Sequence, residues 1–117
     1  MPVAELKDRL RADLTAAIKA RDALRSSTLR MALTAVTTAE VSGKQARELS
    51  DDEVTAVLVS QSKRRREAAD AFDQAGRDEL AAKERAEAAV LGRLKPQVAG
   101  RADGAVVAAE VRRQVSA

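Results

Sequence analysis

The chain has 117 residues, a formal net charge of +3 and a pI near 9.7, enough for one domain or two small ones. It contains no Cys, His, Tyr or Trp. That excludes disulfides, thiolate nucleophiles, zinc–thiolate sites and the usual general base near neutral pH. A catalytic site would have only Asp, Glu, Lys, Arg, Ser and Thr to draw on, so no catalytic residue, cofactor or metal site is expected.

The apolar content is thin but of one kind. Leu, Ile, Val and Phe together number 25, about a fifth of the chain, while Ala supplies 26, the residue with the best helix propensity. Phe72 is the only aromatic residue, which argues against sandwiches and barrels. The composition reads as all-α. The 21 basic and 18 acidic residues interleave, unlike the polybasic signature of a strong nucleic-acid binder. Arg outnumbers Lys 15 to 6. Codon bias in a GC-rich genome explains this blandly; phosphate recognition by planar guanidinium groups is the functional reading. The opening Met-Pro-Val-Ala-Glu lacks the basic and then apolar pattern of a signal peptide. No apolar run approaches a membrane span, so a soluble cytoplasmic protein is expected.

In chain order, Leu6, Leu10, Leu14, Ala17 and Ile18 form one apolar stripe of a first helix over residues 4–20. Asp22 is placed to cap a second helix over 24–41, with Leu29, Leu33 and Val36 as its stripe. The Ser and Thr residues of that segment lower its intrinsic propensity, so packing must hold it. Residues 41–49 read as an exposed loop. Ser50-Asp51-Asp52-Glu53 is a capping box that starts a long third helix. Helix-start chemistry explains the acidic trio; a divalent-cation site would need carboxylates from separate segments as well. Val54, Val57, Leu58, Gln61, Arg65, Ala68 and Phe72 keep helical spacing to residue 75, where Gly76 supplies the stop. Asp78 begins a fourth helix carrying Leu80, Val90 and Leu91, with Glu84 at the edge of its contact face and Gly92 as its expected end. Pro96 and the Gly100–Gly104 turn follow. Val106, Val107, Val111 and Val115 then mark a short last helix.

Two features carry candidate chemistry. Lys63-Arg64-Arg65-Arg66 is the one basic run. Four consecutive helical residues fan over about 300°, so they cannot all face one ligand. Arg65 lies on the apolar stripe and must be partly buried or paired, with Asp70 or an acid on a packed neighbour as its partner. Lys63, Arg64 and Arg66 point outward, either as a solvated collar or as a phosphate-contacting patch. Second, Arg77 and Arg101 each follow a glycine at a turn before a helix start, where free amides can bind an anion. A glycine stop followed by an aspartate cap explains the same pattern structurally. No aromatic residue interleaves with the basic ones, which disfavours base stacking.

The order of residues also resembles a known family. Leu24 to Leu33 is similar to the STLRM helix of the GatB/YqeY family, and Leu49 to Val54 to its LSDEEV helix start. Lys63 to Glu84 is similar to its most distinctive run, QRRES…AFEKAGREDLAEKE, and Gly100 to Gly104 to its KGRADG turn. The matching blocks cover most of the chain in the right order. Family members are longer by several tens of residues, with a YLP segment and a further helical stretch before the glycine turn. Here Arg93 runs straight into Leu94-Lys95-Pro96. This predicts that the sequence joins two stretches across a missing one, and a Cα separation near 3.8 Å at Arg93–Leu94 would defeat that idea.

The resemblance implies an N-terminal helical bundle over residues 1–93 and the remainder of a small C-terminal helical cluster over 94–117. It implies a relation to the tail domain of the B subunit of the tRNA-dependent Asp/Glu amidotransferase, which helps hold tRNA while catalysis lies elsewhere. The leading expectation is therefore a non-catalytic tRNA-binding module, accessory to tRNA-dependent amidation or aminoacylation. Its expected partners are tRNA and components of an aminoacyl-tRNA synthetase or amidotransferase, with Lys63, Arg64, Arg66, Arg77 and Arg101 as the nucleic-acid contacts. A protein-interaction adaptor is the second reading. A carbon–nitrogen ligase using glutamine as amido-nitrogen donor is a third, implied by family association alone, since the chain shows no nucleophile–base pair.

Overall fold

Four helices occupy residues 5–94, the part of the chain described by this computed structural model: α1 (Glu5–Lys19), α2 (Ala23–Glu40), α3 (Asp51–Gln74) and α4 (Asp78–Leu94). No strand occurs among the described residues, as the composition requires. None of these helices is long and apolar enough to cross a membrane.

The two tight links are built alike. At the end of α1, Arg21 N–H donates to Ile18 O and Asp22 N–H to Ala17 O, both at 3.0 Å. At the end of α3, Gly76 N–H donates to Asp73 O at 3.0 Å and Arg77 N–H to Phe72 O at 2.8 Å. This paired bonding turns the chain sharply and satisfies the last carbonyls, provided one residue adopts a left-handed conformation. Gly76 does so at φ 74°, whereas the first link uses Arg21 at φ 57°. An aspartate then opens the next helix. The Asp22 carboxylate accepts from Arg25 N–H at 3.0 Å, and Asp78 stands first in α4. Such short links make α1/α2 and α3/α4 antiparallel hairpins.

The third connection is long and clasped. Residues 41–48 are exposed, as expected, but Leu49 is buried. Leu49 and Val54 occupy the positions that staple a helix start, one before the cap and one a turn after it, and both belong to the core. Ser50 Oγ accepts from Glu53 N–H at 3.2 Å, and a Glu53 oxygen accepts from Ser50 N–H at 3.0 Å, completing the capping box. Buried Lys7 donates to both oxygens of Glu40 at 2.9 and 2.8 Å, and Glu40 also accepts from Leu49 N–H at 3.2 Å. Leu6 N–H donates to Asp51 at 2.9 Å. The start of α1, the end of α2 and the start of α3 are thereby tied together.

The core joins Leu6, Leu10 and Ala17 of α1 with Leu29, Ala32 and Val36 of α2, and Val54, Val57 and Leu58 of α3 with Val90, Leu91 and Leu94 of α4. Two apolar positions on the expected stripes lie at its margin. Ile18, in the last turn of α1, is 48% exposed, and Leu80, in the first turn of α4, is 38% exposed. One expectation is corrected: Gly92 does not end α4. The helix continues to Leu94, whose side chain is buried and whose carbonyl accepts from Arg9 at 3.2 Å. Burying a leucine at that end outweighs the modest preference of glycine for a helix terminus. Residues 93 and 94, where a junction is expected, are the last two residues of α4. The C-terminal cluster expected from 94 onward lies outside the described residues beyond Leu94.

Candidate nucleic-acid interface

The basic run sits midway along α3, where it passes the middle of α4. At about 100° per residue, Lys63 and Arg66 come to one side of α3, together with Glu67 and Asp70. Arg85, Ala88 and Ala89 of α4 face them, and these seven residues line an open groove of about 540 Å³. The two alanines leave the groove wide, and the long charged side chains wall it.

Hydrogen bonds fix several of these walls. Arg66 Nη1 donates to Ser62 Oγ at 2.6 Å, and buried Ser62 donates to Ala88 O at 3.4 Å, which ties α3 to α4 beside the groove. Arg85 donates to Asp70 at 3.1 Å and also binds Asp73. Those carboxylates raise the affinity of the Arg85 guanidinium for its proton, the Asp73 hydrogen bond most. Lys63 is exposed and has no carboxylate partner among the described residues. It is the lining cation most available to an anionic ligand.

The inward arginine is Arg65, as its stripe position requires. Its side chain is three-quarters buried, and Nη1 lies 3.5 Å from Glu84 Oε1 on α4 and 3.6 Å from Met31 Sδ on α2. The acid on the packed neighbour is thus the partner, while Asp70 is taken by Arg85. Arg64 is exposed, about 100° around α3 from Lys63 on the flank opposite Ser62. Arg77 is exposed at the hairpin turn, 14 residues beyond Lys63 and so about 21 Å along the axis at 1.5 Å per residue. Arg101 lies outside the described residues. Of the expected contacts, then, Lys63 and Arg66 share one groove, and Arg64 and Arg77 stand apart from it.

The acidic start of α3 is used within the fold. Asp51 accepts from α1, and Glu53 accepts from Ser50 N–H and from Arg47. The Arg47 hydrogen bond, outweighing partial burial and joined by the Ser50 amide, lowers the Glu53 pKa to about 2. No group of three or more carboxylates able to hold a metal ion occurs among the described residues.

Sequence reasoning passed over Arg85 and Glu67 as site residues and offered Asp70 as a partner for Arg65, not for Arg85. The signal was available in the hairpin. Folding the chain back at Gly76 sets Ser62 opposite Ala88 and brings Asp70 to Arg85, a reflection that the two hydrogen bonds follow. The resulting groove carries three cations and two carboxylates. It can accept a phosphate or two at Lys63 and Arg66.

A family model described as Yqey-like protein matches residues 7–97, which takes in nearly all of the four-helix region. No curated protein matches the chain. The family match spans most of the sequence and includes the basic run, the glycine stop and the fourth helix, so the chain belongs to the YqeY family.

Proposed function

We propose that this protein is a non-catalytic helical RNA-binding module whose ligand is tRNA, working beside tRNA-dependent amidation or aminoacylation. Components of the amidotransferase or of an aminoacyl-tRNA synthetase are its expected neighbours. The observation that carries this reading is the α3/α4 groove, where Lys63 and Arg66, neither paired with a carboxylate among the described residues, stand at an open, alanine-floored surface. One or two phosphate contacts confer weak, salt-dependent binding without base readout.

Fluorescence titration with tRNA across a salt series tests it. The affinity should fall as salt rises, with a slope equivalent to about one or two displaced counterions at about 0.9 per phosphate. Arg66→Glu should weaken binding to all tRNAs alike. Binding no tighter than that of a neutral control protein at low salt would overturn the proposal.

One observation favours a protein partner instead. Glu67 and Asp70 share the groove wall with the cations, and Asp70 engages Arg85. A mixed-charge wall suits an ion-paired protein surface. Pull-down from native lysate with and without nuclease separates the two: nuclease-sensitive capture supports RNA, and nuclease-resistant protein capture supports an adaptor.

A further inference from the structure

The junction of α2, α3 and α4 holds a charge imbalance that the RNA reading does not use. Glu84 and Glu87 stand three residues apart on α4, hence on one face of the helix. Glu87 is 9% exposed, and the Glu84 side chain 15%. One guanidinium, Arg65 of α3, approaches them, at 3.5 Å from Glu84 Oε1. Glu84 Oε2 and Arg65 Nε are buried with no hydrogen-bond partner. Lys83 on α4 is the other cation acting on Glu87 and is itself exposed; α2 brings the uncharged thioether of Met31 to Arg65. Two sequestered carboxylates facing one inward cation leave a net negative charge that burial disfavours.

We propose that Glu84 and Glu87 form a proton-binding site beneath Arg65, in which one proton donated by the Glu87 carboxyl to Glu84 neutralises the charge cluster where α4 packs on α3. Proton uptake supplies the donor that Glu84 Oε2 lacks and brings the cluster to neutrality, with Glu84 as the carboxylate paired to Arg65. Burial first, and then the hydrogen bond and charge of Glu84, hold the Glu87 carboxyl above its ordinary value of 4.5. The sign of the linkage follows. The proton binds the folded chain more tightly than the unfolded one, so this stabilisation is complete below pH 4.5 and disappears as pH rises through the folded value.

Carbon-13 carboxyl NMR on the full chain reads the site directly. The Glu87 midpoint should lie above 4.5 in the wild type and fall in Glu84→Gln, which removes the like charge. Thermal unfolding against pH gives the second reading. Glu87→Gln mimics the protonated carboxyl, so its Tm should match wild type in acid and exceed it increasingly toward neutrality. A wild-type midpoint at or below 4.5, or a difference between wild type and Glu87→Gln that stays constant with pH, would overturn the proposal. Should Glu87→Gln not fold, the wild-type midpoint decides alone.

Discussion

The α3–α4 hairpin has two ends made of different material. Near its open end, Val54, Val57 and Leu58 meet Val90, Leu91 and Leu94 in the shared core. Toward the Gly76 turn, only Ala69 and Ala81 are buried between Arg66 and Glu84. The polar end is held by Arg65–Glu84 and by Arg85 with Asp70 and Asp73. Bulky apolar burial gives the first end its stability, since each fully buried leucine contributes roughly 2–3 kcal/mol. Partly exposed ion pairs contribute little each, so the second end keeps its form mainly through helix propensity and close alanine contact. The groove lies at the transition between them, a position that leaves charged side chains hydrated on a backbone fixed by the core.

That contrast can be broken from its strongest side. Leu58→Ala, at a fully buried position, should cost about 3 kcal/mol or more by urea unfolding, through lost transfer energy and a residual cavity. The clasp at the start of α3, at the same open end, should be nearly as sensitive. Glu40→Ala leaves buried Lys7 without its main partner and Leu49 N–H without an acceptor, costing about 3 kcal/mol. Burial alone raises the Glu40 carboxyl, yet Lys7 and the Leu49 amide outweigh it, so its pKa lies below the ordinary value.

Smaller effects belong to turns and surfaces. Gly76→Ala should cost about 1 kcal/mol, wholly from the left-handed backbone, since an added Cβ would meet nothing within 4 Å. Glu53, titrating at about 2 when folded against an ordinary 4.5, contributes stability present above pH 4.5 and lost as pH falls toward 2. Glu53→Gln should flatten that acid limb of the Tm profile by on the order of 1 kcal/mol, because half-exposed Arg47 is screened. Arg85→Ala should leave the thermal unfolding curve close to that of the wild type, its side chain being 48% exposed.

The local chemistry of this fold could be read from the sequence. Helix spans followed apolar spacing, the capping box stood at Ser50 and Glu53, and Gly76 marked the reversal. Arg65 could be turned inward because it falls on the stripe of Val54 and Leu58. Long-range pairing was less legible. Lys7 binding Glu40, 33 residues away, depends on the angle at which α1 meets the end of α2, which no local pattern encodes. Leu80 kept helical spacing yet is 38% exposed in the first turn of α4, beyond the apolar part of the hairpin. Of the site, Lys63 and Arg66 follow from helical geometry, whereas Arg85 needs the register of α4 against α3.

Adjacent residues on one helix give the most direct test of the groove as the RNA contact. Lys63→Glu and Arg64→Glu change the net charge equally, but Lys63 lines the groove and Arg64, about 100° around the helix, is not among its lining residues. In tRNA titrations over a salt series, Lys63→Glu should weaken binding and lower the salt slope by about one, with Arg64→Glu close to wild type. Equal losses in both variants, or no loss in Lys63→Glu, would contradict a localised phosphate contact at this groove.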